Sequence, residues 1–362
     1  MRTLVVNAGS SSIKLRILGD HDVVLGQVDL PAPVGKAEPG SVEAAIRDLG
    51  PVEAVGHRVV HGGPDLTQAT LLDERVLEAL RDLVPLAPMH QGAALDAMAA
   101  AANAHPDIPA FACFDTAFHA TLPAAAATYA LPAAWRRRWP IRRYGFHGLS
   151  HGWVAERVAA LVAPGRRIVS CHLGSGASLA AIDGERSVDT TMGFTPLGGL
   201  VMGTRPGDVD PGILLWLLET GRLDLDELRD GLENGSGLLG MAGAADIREV
   251  ERRAVAGDPV ATLGRDVFLR SVRAGVAAMA TSLGGLDVLV FTGGIGEHQP
   301  AIRSDVAAGL SFLGVALDAS ANGAADADAD ITAPGSKVTV LVVTAREDVV
   351  IAQQVRALLQ RR

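Results

Sequence analysis

Two stretches of the chain share one pattern, and it constrains the fold more than any other feature. Leu4–Ile13 (LVVNAGSSSI) and Val169–Leu179 (VSCHLGSGASL) each read as apolar strand, Gly/Ser turn, apolar strand. Two copies roughly 165 residues apart argue for a duplicated domain, each copy presenting a turn of phosphate size. A third glycine turn, Phe291–Glu297 (FTGGIGE), follows another apolar strand.

The rest of the chain alternates short Val/Ile-rich runs with longer Ala/Leu-rich stretches, the α/β pattern. Strands are expected at Thr3–Val6, Ala54–Val60, Ala110–Phe114, Arg167–His172, Val288–Thr292 and Val338–Val343. Helices are expected at Glu74–Leu83, Gly92–Ala104, His151–Val162, Pro211–Glu219, Asp258–Leu283 and Val349–Gln360. Gly19–Gly40 is weakly patterned, and Asn322–Gly335 reads as a solvated surface loop. A length of 362 residues with 48% hydrophobic and 20% charged residues suits two globular domains.

Several function classes lose support. A net charge of −9 and only 4% aromatics argue against a nucleic-acid partner. Cys113 and Cys171 lie far apart in apolar runs, which reads as buried reduced thiols. MRTLVVNAGSSS has no long apolar leader and no run approaches a membrane span, so the expectation is a cytoplasmic protein with no membrane partner. There is no G-x-x-x-x-G-K-[ST] loop and no G-x-G-x-x-G turn. No HExxH or Cys/His cluster supports zinc.

Other segments carry candidate chemistry. Asn7, Ser10, Ser12 and Lys14 follow a strand, beside Ala8 and Gly9, which let backbone N–H groups approach an anion; the turn suits a phosphate or is an ordinary hairpin turn. Arg58 lies in GHRVVHGG and Arg205 in MGTRPGDVDP. A guanidinium in such places needs an anion partner, either a ligand or a structural carboxylate, and Asp115, Asp208 and Asp210 are available. Asp115 ends a strand, where a carboxylate serves a metal, a substrate or a helix N-cap. Glu347 is placed to reach a divalent ion or to open the last helix.

Taken in order, VVNAGSSSIK, GHRVVHGG, LAPMH, FDTAFH, IRRYGFHGLSH, HLGSGAS, DTTMGFTPLGGLVMGTRPGDVDP and FTGGIGE resemble the acetate kinase family of the sugar kinase, heat-shock ATPase and actin-like superfamily. The matches run from residue 3 to about 352. The resemblance implies a duplicated ribonuclease H-like (actin-like ATPase) α/β fold, with two domains around a central cleft. One domain would comprise residues 1–148 with the C-terminal helix 348–362, and the other residues 149–347 with the nucleotide site. It implies reversible transfer of the ATP γ-phosphoryl group to acetate, giving acetyl phosphate and ADP, with Mg²⁺ or Mn²⁺, by a homodimer.

Carried over residue by residue, Arg58 and Arg205 grip the carboxylate and the phosphoryl group, His147 hydrogen-bonds the same group, and Asp115 orients the carboxylate or metal. Asn7 and Glu347 position Mg²⁺; Val60, Met89, Phe146 and Pro196 floor the substrate methyl. The turns at Ser10, Ser12 and Lys14 and at His172, Gly174, Ser175 and Gly176 hold phosphates. Gly294, Ile295, Gly296 and Glu297, with Arg303, face the adenosine. The chain departs from the family pattern at Ser175 and His298, where Asn is usual, at Gln91-Gly92 and at Pro206. A propionate or short-chain carboxylate kinase, a pyrophosphate-dependent enzyme and a non-catalytic nucleotide-binding module are the alternatives.

Overall fold

In the computed structural model the described residues are 1–9, 12–32 and 37–361, the side chains of Pro88 and Met89 excepted. They divide into two compact units. The first comprises Met1–Ala120, Phe146–Trp153 and Arg346–Arg362; the second comprises Thr121–Gly145 and Val154–Ala345.

The first unit is built on strands β1 (Thr3–Ala8), β2 (Ser12–Leu18), β3 (Val24–Pro31), β4 (Ala54–Val59), β5 (Thr70–Leu71) and β6 (Ala110–Phe114), in the sheet order β3-β2-β1-β4-β6-β5. The second is built on β7 (Arg167–Leu173), β8 (Ala177–Asp183), β9 (Arg186–Thr190), β10 (Val288–Thr292), β11 (Ala329–Asp330) and β12 (Thr339–Val342), in the order β9-β8-β7-β10-β12-β11. Strand for strand these are the same sheet. Each has an antiparallel three-stranded meander, then two parallel strands, then a short antiparallel edge. The two Gly/Ser turns are the hairpin connections β1–β2 and β7–β8, so the sequence echo is the trace of a repeated topology.

Both faces of the first sheet are covered, because alternate residues of a strand point to opposite sides. Leu4, Val6, Ile13 and Leu15 pack with Val42 and Ile46 of the helix Ser41–Asp48 and with Ala93, Ala97 and Ala101 of the helix Pro88–Ala104. Val5, Phe111 and Cys113 on the opposite side pack with Val349, Ile351, Ala352 and Val355 of the C-terminal helix Glu347–Gln360. Burial pushes the Cys113 thiol up to about 12, and both cysteines are free and buried.

The expected elements and the structure differ in three places. The weakly patterned Gly19–Gly40 contains β3, an edge strand with exposed and half-buried positions only, which leaves little apolar signal. Asn322–Gly335 is not all solvated loop: the helix Ala319–Ala324 enters it, β11 lies within it, and Asn322 is buried. Residues 121–145, which a boundary at 148 assigns to the N-terminal domain, group with the second unit. There Arg143 Nη1 donates to the carbonyls of Thr190, Thr191 and Met192, and the Phe194 N–H donates to the Tyr129 hydroxyl.

Candidate active site

Three parallel strands of the first unit, β1, β4 and β6, end at one edge of the sheet, the edge where α/β folds place ligands. Asn7 lies near the end of β1, Arg58 near the end of β4, and Asp115 directly after β6, its N–H bonded to the Val59 carbonyl at 2.9 Å. Arg58 Nε and Nη2 donate to the two carboxylate oxygens of Asp115 at 3.2 and 2.6 Å, a bidentate clamp. Arg58 Nη1 donates to Asn7 Oδ1 at 3.2 Å, and Asn7 Nδ2 donates to Glu347 Oε2 at 3.0 Å. Glu347 is the first residue of the C-terminal helix and lies 3.8 Å from Arg58 Nε. Sequence positions 7, 58, 115 and 347 thus form one hydrogen-bonded network.

Burial works against the Arg58 charge, but Asp115 and Glu347 outweigh it and hold the guanidinium above its ordinary value. Burial also lifts the Asp115 carboxyl, while Arg58 pulls it back. The balance leaves the Asp115 carboxyl above its ordinary value, with burial the larger influence and the bidentate Arg58 contact opposing it.

Asp115 also builds the next turn. Its carboxylate accepts from the His147 N–H and its carbonyl from the Gly148 N–H, the latter at 2.8 Å. His147 takes φ +56°, a left-handed conformation that non-glycine residues adopt at a cost, often at functional sites. Gly148 is required: a Cβ there would lie 2.1 Å from the Asp115 carbonyl oxygen. The Phe146 carbonyl bonds a ring nitrogen of buried His119 at 3.0 Å, and the Phe146 ring meets His61 edge-on, with centroids 5.4 Å apart. Because a carbonyl only accepts, His119 is the donor, and burial lowers its pKa to about 4 so that it is neutral. Val60 and Phe146, two of the residues expected to floor the pocket, are buried in this unit.

The second unit holds Arg205 differently. Its loop is fixed by main-chain bonds: Gly203 N–H to the Ser175 carbonyl (3.1 Å), Ser236 N–H to the Thr204 carbonyl (2.9 Å) and Leu238 N–H to the Met202 carbonyl (2.9 Å). Gly237, at φ +60°, allows this approach, since a Cβ would come 2.2 Å from the Met202 carbonyl. Sequence reasoning misses Gly237; the glycine-rich run Asn234–Gly237 is the one signal that points to it. Arg205 Nη1 donates to the Pro196 carbonyl at 2.7 Å, and among the described residues Arg205 forms no ion pair. Burial lowers its pKa to about 10, with Glu233 offsetting part of the effect. Asp208 accepts from the Gly199 N–H at 2.7 Å, and Asp210 caps the helix Pro211–Glu219 through the Gly212 N–H at 2.8 Å.

The expected phosphate and nucleotide positions fare unevenly. Ser10 lies outside the described residues, as does the side chain of Met89. Ser12 opens β2, its carbonyl accepting from the Gly9 N–H at 2.9 Å, and Lys14 is an exposed strand residue opposite Asn7. In the second unit His172 pairs with Thr292 across β7 and β10, and the Gly174 N–H closes the turn on the Gly176 carbonyl at 3.0 Å. The Thr292 hydroxyl beside this turn is buried without a partner.

Gly294 is exposed with nothing within 4 Å of an added Cβ, Ile295 is half-buried and Gly296 buried. The Glu297 carboxylate is occupied by the Gly293 and Ala345 N–H groups at 2.8 and 3.0 Å. Arg303 corrects the expectation that it faces adenosine. It is fully buried and donates to the Gly296 and Glu297 carbonyls at 2.9 and 2.6 Å and to the Asn322 side-chain and main-chain oxygens at 2.7 Å. It shapes the glycine turn from behind.

Among the described residues no group of three or more His, Cys, Asp or Glu could hold a metal ion. The Asn7 amide oxygen and the Glu347 carboxylate form a small set of hard oxygen donors. Mg²⁺ keeps several waters and takes few such ligands beside substrate phosphates; here both donors are engaged by protein groups, the Asn7 oxygen by Arg58 Nη1 and Glu347 by the Asn7 side-chain nitrogen.

Known proteins resemble this chain over most of its length. A family model described as the acetokinase family matches residues 41–353. An acetate kinase of Leifsonia xyli subsp. xyli is 43% identical over 387 residues, covering 97% of this chain and 97% of that protein. The crystal structure of Porphyromonas gingivalis acetate kinase superposes with a TM-score of 0.88 at 35% identity, covering 99% of each chain. That of a propionate kinase from Francisella tularensis subsp. tularensis superposes with a TM-score of 0.90 at 34% identity, covering 98% of each. With the family model matched over most of its length, the chain belongs to the acetokinase family.

Proposed function

We propose that the protein is an acetate kinase, transferring the γ-phosphoryl group of ATP to acetate and giving acetyl phosphate and ADP. The observation that carries this reading is Arg205, a guanidinium fixed by a carbonyl, with its pKa depressed by burial and no carboxylate partner among the described residues. An uncompensated cation of this kind is a place built for an anion.

The chemistry asks little covalent work of the protein. A carboxylate is already a nucleophile at neutral pH, so an acetate oxygen attacks the γ-phosphorus, the bond from that phosphorus to the bridging β-γ oxygen breaks, and ADP leaves with its electron pair. Catalysis then consists of positioning and neutralising charge on the transferring group. Arg58, set by Asp115, and Arg205 supply the guanidinium charge, and His147, set by the same Asp115, adds a hydrogen bond. Asn7 and Glu347 would hold Mg²⁺, which when bound neutralises phosphate charge. Val60 and Phe146, with Met89 and Pro196, would limit the acceptor to a short chain.

A propionate kinase is the second reading, favoured by the TM-score of 0.90 to such an enzyme. One methylene is worth about 1–3 kcal/mol, so we expect kcat/KM for acetate to exceed that for propionate by roughly 10-fold. Acyl-phosphate formation trapped as hydroxamate, with acetate, propionate or butyrate against ATP, GTP or pyrophosphate, tests both readings. Product from acetate and ATP supports the first. Equal rates for all three acids would remove the acetate assignment, and no product from folded protein would remove the kinase.

The reading extends to a cytoplasmic homodimer. The helix Pro211–Glu219 exposes Ile213, Leu215 and Trp216, an apolar face suited to a second copy. Among the described residues no helix is long and apolar enough to cross a membrane.

A further inference from the structure

Between Asp115 and Glu156 the sequence contains no Asp or Glu, yet it carries Arg136, Arg137, Arg138, Arg142 and Arg143, in a chain whose net charge is −9. The structure concentrates the first three of these on the six-residue helix Ala133–Arg138. Every residue from 131 to 140 is exposed, including Leu131 at 38%, Trp135 at 49% and Trp139 at 45%. The Arg138 guanidinium lies 4.9 Å from the Trp139 ring centroid. Among the described residues no carboxylate pairs with Arg136, Arg137 or Arg138.

The segment is anchored by hydrogen bonds at and just after its end and is exposed along its length. The Tyr144 hydroxyl donates to the Pro140 carbonyl at 2.8 Å, Arg143 is anchored on three carbonyls at 190–192, and Arg136 Nε donates to the Leu131 carbonyl at 3.0 Å. Pro132 and Pro140 bracket it.

We propose that this exposed Trp/Arg segment docks peripherally on an anionic phospholipid surface. Exposed tryptophan costs apolar hydration, and its amphipathic ring is stabilised at the headgroup level of a bilayer. Arginines beside it gain on the order of 1 kcal/mol each from anionic lipid, and a Debye length of about 10 Å hides the protein's remote negative charge. A single-stranded nucleic acid needs a basic groove that follows its backbone, whereas here the whole run is exposed. A ten-residue segment is also small against the roughly 800 Å² per partner of a stable protein interface.

The test is sedimentation of the full protein with vesicles of equal parts phosphatidylglycerol and phosphatidylcholine, against pure phosphatidylcholine, with tryptophan fluorescence read alongside. Binding is expected only to the anionic vesicles, with a blue shift and with loss at high ionic strength. Combined R136Q, R137Q and R138Q should weaken the partition on the order of 10²-fold while leaving kcat unchanged. R137Q with R138Q leaves the Arg136 hydrogen bond to Leu131 in place and should weaken it in the same direction if the triple variant fails to fold. W135A should abolish much of the blue shift. Equal binding to both vesicle types, binding unaltered by the arginine changes, or displacement from vesicles by poly(U) at lower concentration than by soluble phosphatidylglycerol headgroup would overturn the proposal.

Discussion

Arg58 and Arg205 are the two arginines on which the proposed chemistry rests, and the molecule treats them in opposite ways. Arg58 lies in a network: two bonds to Asp115, one to Asn7, and Glu347 nearby. Arg205 has a carbonyl and no carboxylate, because Asp208 and Asp210, its near neighbours in sequence, hold backbone N–H groups instead. A paired guanidinium is stable without a ligand and sets direction. An unpaired one, depressed to a pKa of about 10, carries a standing cost that a bound anion relieves. On the proposed chemistry the first is both structural and functional, and the second chiefly functional.

Mutation at Arg58 challenges this contrast most severely. Arg58→Ala leaves Asp115 buried and uncompensated, so turnover should fall roughly 10³-fold and unfolding free energy by about 3–5 kcal/mol. Arg205→Ala should leave the urea midpoint unchanged or raise it. A stability loss at Arg205 equal to that at Arg58 would erase the distinction.

The two glycines that shape the neighbouring turns refine the contrast. Gly148→Ala places a Cβ against the Asp115 carbonyl and Gly237→Ala against the Met202 carbonyl, and each should destabilise by about 2 kcal/mol or more. Gly148→Ala should also lower kcat by displacing His147, while Gly237→Ala should raise KM through the Arg205 loop. Unchanged kinetics in both would detach these turns from the site.

A weaker effect is expected in pH. Buried His57 and His119 in the first unit are lowered from 6.5 to about 4 by burial, His119 against a hydrogen bond to Phe146 that raises it. Below pH 6.5 the unfolded chain takes up protons that the folded unit refuses. Stability is therefore full above 6.5 and falls progressively toward pH 4, by up to about 3 kcal/mol per histidine. Urea midpoints across that window should show the slope, and His57→Leu should flatten it; a slope unaffected by that change would assign it elsewhere.

Much of this architecture is legible in the amino-acid sequence. Ala110–Phe114, Val288–Thr292 and Pro211–Glu219 have the expected bounds, because apolar runs bracketed by Gly, Pro or Asp leave little freedom. The echo around Asn7 and His172 marks the repeated sheet for a related reason: a hairpin is local in sequence. What stays hidden is long-range. Three aspartates are open to the two arginines, and only the fold shows that Asp115 takes Arg58 across 57 positions while none takes Arg205. The pairing of Arg303 with Asn322 escapes a sequence reading on the same ground, since a buried polar pair leaves no periodic signal in either segment.

Whether Arg205 is a phosphoryl site is decided by the turnover of Arg205→Ala, measured as hydroxamate-trapped acetyl phosphate on samples whose thermal midpoint matches that of the unaltered protein. A fall of roughly 10³-fold or more in kcat at unchanged stability is expected. Near-normal turnover in a folded variant would contradict it, and the uncompensated guanidinium would no longer be a phosphoryl site.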